Sequence, residues 1–88
     1  MRDHIIVGIH ITDRVTNAGE VQALLTQYGG CIRTRIGLHD ATGDAAGPSG
    51  LILLETIGPT ATVEALCDAL RKLRGVQAQQ MYFSHPEA

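Results

Sequence analysis

The chain contains no tryptophan, one phenylalanine and two tyrosines in 88 residues. Hydrophobic residues still make up 44% of it, so a core can form, and that core is expected to be aliphatic. Two cysteines do not make a disulfide framework, and nothing in their number points to secretion. Lysine and arginine together number seven against nine acidic residues, and they never gather into a long run. A nucleic-acid backbone demands a concentrated basic surface, so direct nucleic-acid binding is not expected. No apolar stretch approaches the roughly 20 residues of a membrane span, which argues against a membrane partner. The opening "MRDHIIVGIHITDR" has its apolar run broken by His10, with no small-residue cleavage site after it, so no signal peptide is expected. The expected location is the cytoplasm. The length suits one domain over residues 1–84, near the lower end of comfortable stability, with 85–88 as a frayed tail.

What is present is clear alternation. In "HIIVGIHIT", residues 4–12, Ile5, Val7, Ile9 and Ile11 share one face and Ile6, Gly8, His10 and Thr12 the other, as in a strand. Thr16 or Asn17 then offers an N-cap oxygen, and Glu20 stands three residues after Asn17, as in a capping box. Val21, Leu24, Leu25 and Tyr28 follow the spacing of a helix with one buried stripe. Gly29-Gly30 is expected to end that helix in the left-handed conformation. A second strand reads over 31–38, with Ile32, Thr34, Ile36 and Leu38 on one face and Cys31, Arg33 and Arg35 on the other.

The stretch 39–50 is a long loop by composition, and long loops tend to carry function or motion. "LILLETI", residues 51–57, is a third strand. Thr60 or Thr62 caps a second helix whose buried stripe is Val63, Leu66, Leu70 and Leu73, with Gly75 closing it. Residues 76–83 form a more polar fourth strand. The order β-α-β-β-α-β, with short right-handed connections, predicts an α+β fold with ferredoxin-like wiring. Its four-stranded antiparallel sheet carries both helices on one face, in spatial order 4-1-3-2. That wiring brings the 13–17 loop, the 39–50 loop and Gly75 to one end.

The loop "TDRVTNAG" lacks the glycine spacing of a dinucleotide fold, and no phosphate-cradling Gly-Lys-Ser/Thr loop occurs. "ITDRVTNAGEVQALLTQYGGCI" instead resembles the first half of ACT-type regulatory domains. The whole chain outside 39–50 resembles more closely the small stand-alone ACT-like proteins named as iron-only hydrogenase system regulators. Asp13-Arg14, Leu24-Leu25, "RTRIG" of strand two, and Leu73 with Gly75-Val76 carry that resemblance. It implies a regulatory role linked to hydrogenase. One departure is local: amino-acid-binding ACT domains place Pro-Gly after Asp-Arg, where Val15-Thr16 stand here.

Four histidines and two cysteines raise a metal reading, since the regulatory domain of nickel-responsive repressors has an ACT-like fold. That domain's pattern has two histidines on strand three and a cysteine near the next helix. Here Leu53 to Glu55 and Thr60 to Val63 occupy those places, and only His39 falls comparably. One ligand is not a site, so no metal and no cofactor are expected. Cys67 lies on the buried stripe, Cys31 is expected to be partly exposed, and His4 and His85 are read as surface residues. His39-Asp40 has no fixed geometry in a Gly-rich loop. Arg33, Arg35 and Glu55 look like cross-strand ion pairs, so no catalytic residue is expected.

The leading reading is therefore a regulatory module, not an enzyme, that acts through self-association and a small-molecule effector, with any regulatory signal passing through a protein partner or that ligand. The effector is expected at the end holding Asp13, Arg14, Asn17, His39 and Gly75. The alternatives are a small ferredoxin-like enzyme using the mouth formed by the two loops, and a metal-responsive sensor. Self-association follows from strand three, where Leu51 and Leu53 point opposite to Ile52 and Leu54, so that either pair must face away from the helices. Ile6, with Met81 or Tyr82, would extend the outward patch. A homodimer or dimer of dimers through the sheet face is expected, with Arg33, Arg35 and Glu55 toward its polar rim.

Overall fold

The computed structural model describes residues 2–12, 14–38 and 50–85. Strand β1 runs Arg2–Ile11, helix α1 Arg14–Gln27, β2 Ile32–Leu38, β3 Gly50–Thr56, helix α2 Thr60–Arg71 and β4 Val76–His85. The sheet order is β2-β3-β1-β4, with every neighbouring pair antiparallel. This is the expected ferredoxin-like arrangement.

The core lies between the sheet and the two helices. Ile5, Val7, Ile9 and Ile11 of β1, with Ile52 and Leu54 of β3, project from the covered face. They meet Val21 and Leu25 of α1 and Val63, Leu66, Cys67 and Leu70 of α2. Among the described residues no ring lies in the buried core, as the composition predicts; Tyr28 packs at its edge. One buried hydroxyl stitches the sheet, where Thr56 Oγ1 donates to the Ile5 carbonyl at 2.7 Å.

Local signals misplace several boundaries. Helix α1 starts at Arg14, so Asn17 is a helical residue and neither Thr16 nor Asn17 is the cap. Asn17 stands one turn before Val21 on the inward stripe and is buried, so a tertiary position overrides the residue's preference for caps. Helix α2 is capped by Pro59, with Thr60 as its first residue; the Pro59 carbonyl accepts from the Thr62 and Val63 amides. Gly29 and Gly30 do not adopt positive φ. A 3-10 turn over Gly29–Cys31, with the Cys31 amide donating to the Tyr28 carbonyl at 3.0 Å, carries Cys31 into the core. Cys31 is therefore buried, not partly exposed.

Strand β2 holds the most consequential correction. Its pairing with β3 shifts between Ile32 and Thr34, a bulge that adds one residue. Ile32 consequently packs against the core, while Thr34 and Ile36 stand on the open face. Arg35 turns to the helix side, where its Nη2 donates to Gln22 Oε1 at 3.0 Å. Arg33, Arg35 and Glu55 thus do not share a face.

Candidate functional site

The ends of β1 and β4 converge beside the start of α1. The Thr12 amide donates to the Gly75 carbonyl at 2.8 Å. Gly75 has φ +80, a conformation that favours glycine, and a Cβ placed there would stand 3.0 Å from Asn17 Nδ2. Asn17 and Gly75 are therefore brought together as expected. Arg14 opens α1, but its side chain, like all of Asp13 and His39, lies outside the described residues. Of the five expected effector residues, the contact between Asn17 and Gly75 is what the structure describes.

The second region is the sheet face away from the helices. Leu51 and Leu53 are the outward pair of β3, while Ile52 and Leu54 meet the helices. Ile36, Leu51, Met81 and Phe83 are exposed on this face, Met81 at 56%. Of the two outward candidates on β4, Met81 is the one found there; the Tyr82 hydroxyl instead donates to Glu64 of α2 at 2.9 Å. A depression of ≈ 290 Å³ lies among Ile6, Thr34, Ile36, Leu53 and Glu55. A second hollow of ≈ 180 Å³ lies over Gly8, walled by His10, Leu51, Gln77 and Gln79.

Among the described residues, Glu55 is the acidic group within this surface. Its Oε1 accepts from Thr34 Oγ1 at 3.0 Å, and its Oε2 lies 3.1 Å from His4 Nε2. The Thr34 hydroxyl, helped by His4 and the nearby Arg33 guanidinium, holds the Glu55 carboxyl below the usual carboxylate range. His4 is half-buried beside this carboxylate, so it is more than the plain surface residue expected from its place near the chain end. The lone charge of Glu55 in the mainly apolar "LILLETI" was the available signal; its partners on β1 and β2 required the register.

Among the described residues no three His, Cys, Asp or Glu side chains gather as a metal site would need. Burial pushes the Cys31 thiol up and the Cys67 thiol to about 11, so both are poor nucleophiles near neutral pH. Among the described residues no helix is long and apolar enough to cross a membrane.

No protein-family model and no curated protein matches the chain. Solved structures match its fold. An uncharacterized protein, TM1266 from Thermotoga maritima, aligns over 94% of this chain and 100% of its own, with TM-score 0.79 and 21% identity. The nitrogen regulatory PII-like protein CPII from Thiomonas intermedia K12 aligns in its apo form over 97% of this chain and 96% of its own, with TM-score 0.57 and 11% identity. CPII bound to ADP, AMP and bicarbonate aligns over 98% of both chains, with TM-score 0.57 and 12% identity. At these identities the likeness establishes the shared fold.

Proposed function

We propose that this chain is a small regulatory module that acts by self-association and by binding a small-molecule effector, without catalysis of its own. The open sheet face carries the reading. Its exposed aliphatic and thioether side chains form a patch of the kind that marks an interaction surface. The effector end is the one for which Asp13, Arg14, Asn17, His39 and Gly75 were expected, and Asn17 with Gly75 are its described members. There a buried side-chain amide packs against the glycine that joins α2 to β4, so an effector held by Asn17 would reach both α1 and the start of β4.

The resemblance to iron-only hydrogenase system regulators supports a role in that system, exerted through a protein partner or the effector. CPII, which shares the fold, is described as regulatory and as bound to ADP, AMP and bicarbonate, so adenine nucleotides are the first compounds to titrate. Sedimentation of the unmodified protein at micromolar concentration should show a dimer or tetramer. Leu53→Lys should return it to a folded monomer. A folded monomer for the unmodified protein overturns the self-association reading. Amide shifts on nucleotide or amino-acid addition should centre on Asn17 and Gly75; shifts confined to Gly29 and Gly58 would refute the effector end.

A further inference from the structure

The strand registers fix the pattern of the open face. One row across the sheet reads Thr34, Glu55, Ile6, Met81, and the next reads Ile36, Leu53, Gly8, Gln79. Beyond them Leu51 pairs with His10 and His10 with Gln77, while at the other end His4 pairs with Phe83. The apolar members fall on a diagonal, from Phe83 and Met81 through Ile6 and Leu53 to Ile36 and Leu51. On one side of it lie Gly8, the carboxamide donors Gln77 and Gln79, and His10. On the other lies Glu55, with Thr34 and His4.

Packing a second copy on this face allows two simple two-fold axes in the interface plane. An axis across the diagonal would set Glu55 against the partner's Glu55, two like charges in a surface losing its water. An axis along the diagonal stacks apolar band on apolar band and exchanges the flanks. Glu55 then lies over the partner's Gly8, beside the carboxamide of the partner's Gln79. The hollow over Gly8, ≈ 180 Å³, has room for a carboxylate, and the amide supplies a donor for its remaining lone pairs. With strands about 4.8 Å apart and about 3.4 Å per residue, a face four strands wide and seven residues long covers about 450 Å². Two such faces bury about 900 Å², the size of a weak, reversible association, where orientation depends on a few good contacts.

We propose that two copies of this chain pack sheet to sheet about a two-fold axis along this diagonal, with Glu55 of each seated in the hollow over the partner's Gly8 beside its Gln79. This rests on the self-association reading above, and the experiment separates the two. Sedimentation equilibrium would compare unmodified protein with Leu53→Lys, Gly8→Val, Gln79→Glu and Gln79→Lys. In the free protomer a Cβ at Gly8 meets only Leu53 Cδ2, at 3.7 Å, so Gly8→Val should fold and block the hollow. Gly8→Val and Gln79→Glu should each raise the dimer Kd tenfold or more, and Gln79→Lys should lower it. If Leu53→Lys gives monomers while Gly8→Val and Gln79→Glu leave Kd unchanged, this orientation is overturned and the face reading stands. If Leu53→Lys remains fully dimeric, the face reading falls as well. Should Gly8→Val fail to fold, the opposite signs expected for Gln79→Glu and Gln79→Lys decide the orientation alone.

Discussion

Both faces of the sheet carry isoleucine and leucine on β1 and β3, and these behave as different materials. On β1 and β3 the covered face carries Ile5, Val7, Ile9, Ile52 and Leu54, and the open face carries Ile6, Leu51 and Leu53. Leu54 is 0% exposed and Leu51, three positions earlier, is 36% exposed. Side-chain chemistry does not separate them; the two helices do, by covering one face. Hydrophobic residues are thus necessary for a core, while a covering layer decides which become one.

The comparison breaks most sharply on deletion of one leucine from each face. Leu54→Ala should destabilise the protomer by about 2–5 kcal/mol, the cost of a cavity in packed surroundings. Leu53→Ala should change protomer stability by less than about 1 kcal/mol and weaken association instead. Urea unfolding at several protein concentrations separates the two: the Leu54 effect is independent of concentration and the Leu53 effect is not.

Two glycines sharpen the comparison next. Gly75→Ala forces a side chain into positive φ against Asn17 Nδ2 and should cost about 1–3 kcal/mol. Gly8→Ala meets only an ordinary contact in the protomer and should shift its stability by no more than about 0.5 kcal/mol. Thermal unfolding under conditions favouring protomers would show this order, and equal effects would contradict it.

Two threonines give a smaller contrast. Thr56→Val removes the buried hydroxyl bond to the Ile5 carbonyl and should cost about 1–2 kcal/mol. Thr34→Val, on the open face, should mainly move the Glu55 titration. Because the folded Glu55 carboxyl sits below its ordinary range, its contribution to stability is present above that range. It is lost as pH falls through the folded value. Removing the Thr34 donor should raise the Glu55 midpoint toward the ordinary carboxylate value, read by side-chain NMR titration. An unchanged midpoint would show that the hydroxyl does not hold the charge.

The smallest effect concerns the covered face alone. With the Cys67 thiol at about 11, about one molecule in a thousand carries its thiolate at pH 8. Alkylation of Cys67 and Cys31 should be slow in native protein and rapid in denaturant, measured by mass.

The fold was legible because alternation and helical spacing are strong in the covered face. Ile5, Val7, Ile9 and Ile11 mark one strand, and Val63, Leu66 and Leu70 mark one helix, whatever else surrounds them. The ends of elements were less legible. Asn17 carries a cap's chemistry but sits where the inward stripe of α1 continues, and Pro59 offers only a carbonyl. Both outcomes depend on packing that no local window contains. Asn17 and Gly75 were placed together from topology alone, because antiparallel wiring fixes which strand ends meet.

Sequence by itself determined the element order, the aliphatic core and the presence of two apolar pairs in "LILLETI", since these follow from period and composition. Which pair turns outward was decided by the helices, which cover Ile52 and Leu54. The separation of Arg35 from Glu55 was decided by the bulge between Ile32 and Thr34, because one inserted residue reverses a period of two. The diagonal on the open face, with Glu55 on one flank and Gly8 on the other, exists only in the register of four strands. Each strand read alone contains a fragment of that pattern, and only hydrogen-bonded pairing aligns the fragments into a surface.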